Sequence, residues 1–253
     1  PPMYLPLIGD GEPIVVFANL VANDLINLIV RNDFAREHNL STDLPLKDRL
    51  EAIRGLKVGV APGPPTRLRV LFDSVGLDAD SDIEMVIIHG GEQNQAFEEG
   101  SVDALYAHTP YLERALEQQG AVIQVNQSVG EVSELSGRLG HALVTTQESR
   151  INYRDQMLAL TRAVHRAQQL IRTDVAATVE ALLVSGVPGL ERPLLERIVG
   201  IYSPAVPESP EVSVEGVQRA AELFPAHRTQ PDLTGIDLEG FIALGISQGV
   251  LTP

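Results

Sequence analysis

Between residues 57 and 125, short β-rich runs alternate with segments of helical period, and each helical segment closes on a glycine. Lys57-Val58-Gly59-Val60-Ala61 reads as a strand. Leu68, Leu71, Phe72 and Val75 follow at i, i+3, i+4, i+7, and that helix stops at Gly76. A second unit runs from the strand Glu84-Met85-Val86-Ile87-Ile88 through the turn His89-Gly90-Gly91 to a short helix that passes Phe97 and ends at Gly100. The third joins a strand over 102–107, the turn His108-Thr109-Pro110 and a helix carrying Leu112, Ala115 and Leu116 to Gly120, and a further strand covers 121–125. Strands separated by helices pair in parallel through right-handed crossovers, so this region is expected to form one parallel α/β sheet with helices on its faces.

Different material flanks this unit. A strand over 14–18 and an extended run over 27–30 precede it, joined by Asn19-Leu20-Val21-Ala22-Asn23-Asp24, and Ala142-Leu143-Val144-Thr145-Thr146 reads as a strand after it. From Tyr153 onward the chain turns helical: Met157, Leu160, Val164, Ala167 and Ile171 recur at helical spacing. Thr173 or Asp174 is placed to cap a next helix carrying Val175, Val179, Leu182 and Leu183, and shorter helices are expected near 193–202, 214–224 and 237–247. Entry near 19–30 and exit near 141–148 imply an inserted lobe: lobe 1 from residues 1–24 and 147–253, lobe 2 from residues 25–146.

Composition narrows the function classes. A formal charge of −15 repels phosphate backbones and anionic headgroups, and no basic stripe offsets it, which disfavours nucleic acid and membrane surfaces as partners. No apolar run reaches the ~20 residues that a bilayer span requires. Cysteine is absent, which removes disulfides, thiolate catalysis and thiolate metal sites but leaves the compartment open. The chain opens Pro1-Pro2-Met3-Tyr4 with no basic and apolar leader pattern, as a mature or truncated chain would.

Ligands of open parallel sheets bind outside the carboxyl ends of the strands, where turns and helix N-termini present polar groups. Three turns are expected to share that end: 62–67, 89–92 and 108–111. A crevice between them and the other lobe would close by hinge motion at the two crossings. In the first turn, Pro62, Pro64 and Pro65 have no N–H, which leaves Gly63, Thr66 and Arg67 as backbone donors, with the Thr66 hydroxyl and the Arg67 guanidinium. That is a weaker anion cradle than a Ser/Gly-rich loop; alternatively the prolines stiffen a turn and Thr66 caps the helix. The second turn offers His89 as a ligand contact or a surface residue, and Gly90 permits close backbone approach. In the third, His108 and Thr109 end the strand, Tyr106 precedes them by one pleat, and Tyr111 either lies over the site or packs outward. Asn23 and Asp24, at the first crossing, read equally as ligand hydrogen-bonding groups and as turn or cap residues.

Other chemistries find little support. Gly245-Ile246-Ser247-Gln248-Gly249 matches a nucleophile elbow, but no acid or histidine follows it in the chain. Asp78, Asp80 and Asp82 resemble a calcium loop, yet Ile83 stands where glycine is needed and His89 where glutamate is. Neither G-x-G-x-x-G nor G-K-[ST] is present, and the six histidines lack metal-ligand spacing, so no cofactor and no metal are expected.

The combination resembles the solute-binding proteins of ABC importers, in the branch serving sulfonates, taurine, nitrate and thiamine-pyrimidine precursors. The residues that carry this are Gly55-Leu56-Lys57-Val58-Gly59-Val60 with the glycine-bearing turn, Gly100-Ser101-Val102-Asp103-Ala104 leading to Thr109-Pro110-Tyr111, Ala142-Leu143-Val144-Thr145-Thr146, and Asp237-Leu238-Glu239-Gly240-Phe241. The resemblance implies an α/β, two-lobed type II periplasmic-binding-protein fold with each lobe a doubly wound sheet. It also implies a periplasmic or extracellular location, lipid-anchored in some full-length proteins, and two partners: a small-molecule solute and a transmembrane permease. Ligand contacts in such proteins match Gly63 to Arg67, Thr109 to Tyr111, the crossing near Asn23 and a segment close to Pro1-Pro2. Pro64-Pro65 departs from the Ser-Gly usual there, which argues against an anionic sulfonate-like solute, and the chain begins where relatives are already inside their first lobe.

The rival reading is an enzyme on the same fold, a pyrimidine-precursor synthase or a menaquinone-pathway type. Schiff-base chemistry needs a lysine in the crevice, and the lysines here are Lys47, in a charged connector, and Lys57, at the start of a strand. A third reading is a ligand-sensing domain of a receptor.

Overall fold

The computed structural model describes residues 3–186, 189–222, 233–243 and 246. The chain divides into two compact units: unit 1 comprises Pro1–Asn23, Gly137–Thr178 and Ser203–Pro253, and unit 2 comprises Asp24–Ser136 and Val179–Tyr202. The strands are β1 (Ile14–Asn23), β2 (Asn27–Arg31), β3 (Lys57–Val60), β4 (Glu84–Ile87), β5 (Ala104–Ala107), β6 (Ala121–Val125) and β7 (Ser136–Thr146). This division differs from an inserted lobe spanning 25–146. The segment from Gly137 leaves with unit 1 because β7 pairs with β1. The helix Arg192–Tyr202 returns to unit 2, where Ile201 and Tyr202 are buried in the same apolar cluster as Leu112 and Ala115.

Unit 2 is built on a five-stranded sheet of order β4-β3-β5-β2-β6. β3 pairs in parallel with both β4 and β5, as the alternation of strands and helices predicts. β3 to β6 share one direction, and β2, from outside that stretch of sequence, lies between β5 and β6 and runs antiparallel to both. The connection from β5 to β6 therefore skips one position in the sheet, and the strand that enters from the first crossing fills it. The centre of the sheet is dry, since Leu28, Ile29, Val30, Val58, Val60, Leu105 and Tyr106 are all fully buried. Each buried Leu or Ile contributes ~1.5–3 kcal/mol from the apolar surface removed from water.

Helix periods in unit 2 are borne out. The helix Pro65–Asp73 buries Leu68, Leu71 and Phe72, and the helix Tyr111–Gln118 buries Leu112 and Ala115. The glycines that end these segments take positive φ, +78° at Gly76, +74° at Gly100 and +62° at Gly120, a region where only glycine is free of Cβ strain.

Unit 1 assembles from separated pieces of chain. Its described sheet is the pair β1-β7, with an isolated parallel bridge between Val16 and Ile242. One apolar cluster gathers Tyr4, Leu5 and Ile8 with Val16, Leu139 and Val217, and the Tyr4 hydroxyl donates to the Leu139 carbonyl. A second gathers Val15, Phe17, Ala18 and Met157. The helix Arg154–Thr173 buries Met157, Thr161 and Gln168; of the apolar row that its spacing predicts, Met157 is buried and Val164 and Ile171 are half-buried, while Leu160 and Ala167 are exposed. The buried polar groups are bonded: Thr161 Oγ1 donates to the Met157 carbonyl at 2.8 Å and Gln168 Nε2 to the Asn19 carbonyl at 2.7 Å. Asp174 caps the next helix, its carboxylate accepting the Ala177 N–H at 2.9 Å. Among the described residues, no helix is long and apolar enough to cross a membrane.

Candidate functional site

Parallel register brings three turns to one end of the unit 2 sheet. Val60 is level with Ile87 of β4 and with Tyr106 of β5, so the chain leaves β3, β4 and β5 at the same height. The turns that follow are those of residues 62–67, 89–91 and 108–110.

In the first turn Gly63 is exposed, and a Cβ built on it meets nothing within 4 Å. Pro64 occupies the N-cap position of the helix that starts at Pro65, and its carbonyl accepts the N–H groups of Arg67 at 2.8 Å and Leu68 at 3.2 Å. Thr66 is therefore inside the helix and does not cap it. The Arg67 guanidinium turns to Asp24, with Nε 3.3 Å from Oδ2. Asp24 is buried, and its Oδ1 also accepts the Ile26 N–H at 3.0 Å. A carboxylate held in this way, beside a guanidinium and a backbone amide, is a structural counter-ion that ties the first crossing to the first turn. Asn23, half-buried, ends β1 in unit 1, one residue before Asp24 opens unit 2.

The second and third turns meet through Tyr111. A Cβ added to Gly90, where φ is +36°, would lie 3.1 Å from the Tyr111 hydroxyl, so the ring sits over the bare backbone that glycine provides. His108 packs edge-on against the same ring, centroids 5.7 Å apart, with Nδ1 2.6 Å from the Thr109 carbonyl. His89 is exposed and Thr109 half-buried. Tyr106 does not join them: it is fully buried, and its hydroxyl exchanges hydrogen bonds with the Gln127 amide, Gln127 Nε2 lying 2.9 Å away. One pleat back from the turn, an even position, β5 points this ring into the unit instead of toward its end.

Sequence reading missed a buried acid beneath the third turn. Glu113, on the first turn of the helix Tyr111–Gln118, is completely buried, and neither carboxylate oxygen completes a hydrogen bond with another side chain. Burial pushes its carboxyl up from the ordinary value, against weaker opposing effects of its own backbone N–H, Tyr202, Thr109 and His108. The Tyr202 phenol is pushed up as well, first by burial and then by Glu113. A signal was available: Glu113 is the third residue of a helix that begins after Pro110, the place where a glutamate folds back onto the N-terminal amides. Nothing in the local sequence announces Tyr202, which arrives from 89 positions further along a different helix, residues 192–202.

Other acidic groups have structural tasks. Asp80 grips Arg69 through contacts of 2.8 to 3.0 Å, and Asp78 accepts the Asp80 N–H at 2.9 Å, so the calcium-like spacing serves an ion pair and a cap. Among the described residues, no three His, Asp or Glu side chains gather as metal ligands. Ser247 of the Gly245–Gly249 stretch, and Pro1-Pro2, lie outside the described residues.

In a mixed α/β body, turns at the carboxyl ends of parallel strands are where ligands of open sheets bind. Residues 2–184 match the NMT1-like family, and the chain belongs to it. The fold is similar to that of the periplasmic aliphatic sulphonate binding protein SsuA of Escherichia coli, with 17% identity and a TM-score of 0.64 over 94% of this chain and 72% of that one. It is similar also to the alkanesulfonate-binding protein SsuA of Xanthomonas axonopodis pv. citri, bound to MOPS, at 16% identity and TM-score 0.60 over 94% and 77%. The periplasmic nitrate-binding protein NrtA of Synechocystis PCC 6803 matches at 14% identity and TM-score 0.58 over 98% and 70%. No curated protein matches in sequence.

Proposed function

We propose that this protein is the substrate-binding component of an ABC importer, holding a small solute at the carboxyl end of the unit 2 sheet and making or breaking no bond. The observation that supports this most is the level register of β3, β4 and β5, which delivers three turns to one place. The Asp24–Arg67 pair and the Tyr111 ring over Gly90 hold those turns to each other and to the crossing. On this reading Gly63, Pro64, Thr66, Arg67, His89, Gly90, His108, Thr109 and Tyr111 border the solute, with Asn23 and Asp24 at the hinge; Tyr106 supports from behind. Lobe closure at the crossings captures the solute, a permease receives it, and the protein works in the periplasm or outside the cell. Fold likeness to proteins that bind sulfonates and nitrate supports the transport reading.

The test is a metabolite screen by thermal shift. A solute bound only by the folded protein raises the melting temperature by mass action, about 2.7 kcal/mol at a hundred times Kd. Mass spectrometry of the incubated hit is expected to return it unchanged. A screen without a hit, or conversion of the hit to product, overturns the proposal.

A further inference from the structure

A sheet that ends in an unpaired strand offers a row of backbone donors and acceptors to a second chain, and unit 2 ends this way at β4. In the order β4-β3-β5-β2-β6, β4 has a strand neighbour on one side only among the described residues. Its bonds run to β3: the N–H groups of Glu84 and Ile88 donate to the Leu56 and Val60 carbonyls, each at 2.9 Å. In a parallel ladder the residues between them, Met85 and Ile87, turn their N–H and C=O groups the other way, off the edge. Beside that edge lies a cavity of about 530 Å³, lined by Pro65, Ile83, Met85 and Ile87 and by the Arg69–Asp80 ion pair. Ile87 is 50% exposed there and Met85 half-buried. Natural edges are commonly blunted by lysine or proline; β4 has neither, and its one charge is Glu84.

We infer that the β4 edge docks an extended segment of another protein, one that alternates apolar and cationic residues. Main-chain pairing with Met85 and Ile87 supplies affinity, and the cavity takes an apolar side chain of the added strand, whose alternate residues share one face. Charge selects the cationic partner. Residues 73–84 carry Asp73, Asp78, Asp80, Asp82 and Glu84 and no Lys or Arg; Arg69 answers Asp80 at 2.8 Å and Arg54 answers Asp82 at 2.7 Å. A second copy of this chain brings the same formal charge of −15 and is repelled, which places it behind a cationic segment as the occupant. This inference does not rest on the solute-binding reading, and the failure of either leaves the other standing.

The probe is a fluorescein-labelled peptide, Lys-Val-Lys-Ile-Lys-Val, titrated by anisotropy into the whole protein. Its control is the same peptide methylated on every backbone nitrogen, which keeps the charges and removes the N–H groups. The unmethylated peptide is expected to bind at least about tenfold more tightly than the control. Met85→Pro removes an N–H that serves no bond within the sheet, so the fold is expected to survive while peptide affinity drops about tenfold. Ile87→Glu, at a side chain already half in solvent, gives an independent reading if proline disturbs the strand. It adds attractive charge but removes apolar contact, and is expected to weaken binding several-fold. Equal binding of the two peptides, or tighter binding by Ile87→Glu, means charge attraction alone and overturns the inference. So does the absence of peptide binding, and so does a dimer in sedimentation velocity that Ile87→Glu dissociates, which gives the edge to a second copy.

Discussion

Helix periodicity points to the buried face in unit 2 and only partly to it in unit 1. The helix Pro65–Asp73 buries the residues its i, i+3, i+4 spacing selects. The helix Arg154–Thr173, more than twice as long, leaves Leu160 47% exposed and buries Thr161 and Gln168 in its place. The two helices face different neighbours. In unit 2 a sheet of five strands presents a wide apolar face, and any helix laid on it gains by turning its apolar stripe inward. In unit 1 the long helix runs beside β1, where Phe17 and Ala18 are buried but the chain continues into the polar Asn19 backbone. Gln168 meets that backbone with a hydrogen bond, and a bonded polar side chain is buried at little cost. Where the partner surface is mixed, hydrogen bonding decides which face turns in.

Truncating the centre of the unit 2 sheet tests the comparison most severely. Leu105 is fully buried on β5, so Leu105→Ala is expected to cost about 3 kcal/mol in chemical denaturation, the usual price of an unfilled core cavity. A loss below about 1 kcal/mol would show that this core is loosely packed. The opposite change, overfilling, comes next. A Cβ at Gly59 would stand 2.8 Å from Leu105 Cδ2 and 3.2 Å from Ile88 Cδ1, so Gly59→Ala is expected to cost about 2 kcal/mol. Because Leu105 supplies the closest of these contacts, the double variant should recover part of the loss, a coupling readable in a double-mutant cycle.

How much of this was legible follows from the same physics. Strands β3 to β6 and the glycines that end the intervening helices are local features, and each is written in the residues that form it. The place of β2 is not, because Asn27 to Arg31 pair with residues on β5 and β6 far along the chain, and alternation of strands and helices cannot show which slot a crossover leaves open. The three turns were legible as loops after strands, and the loss of donors to Pro62, Pro64 and Pro65 as a count. Their occupation was not: the Asp24–Arg67 pair spans 43 positions, and Tyr106, chosen for its type and its distance from the turn, points inward to Gln127. The return of residues 179–202 to unit 2 left no composition change to read, since its helices look like those of unit 1.

A smaller effect concerns the buried acid. The folded-state pKa of Glu113 lies above its ordinary value of 4.5, so its contribution to stability is fully present below about pH 4 and is lost as pH rises through the folded-state value. Glutamine does not titrate. Glu113→Gln is therefore expected to match the parent in acid and to be more stable by about 1 kcal/mol at neutral pH, the size of relieving one unpaired buried polar group. Melting curves across that range read the difference directly; an advantage that is independent of pH would place its origin in packing instead of charge.

The smallest expected effect returns to the long helix. If hydrogen bonding and not apolar spacing orients Arg154–Thr173, then Leu160, half out in solvent, contributes little, and Leu160→Ser should change stability by less than about 0.5 kcal/mol. Leu105→Ala and Leu160→Ser alter residues of the same type that spacing alone ranks alike as core positions, so any separation between them measures environment and not side-chain chemistry. Should Leu160→Ser instead cost as much as about 2 kcal/mol, the apolar stripe of this helix would be covered in the folded protein, and the contrast between the units would reduce to a difference in what packs on each.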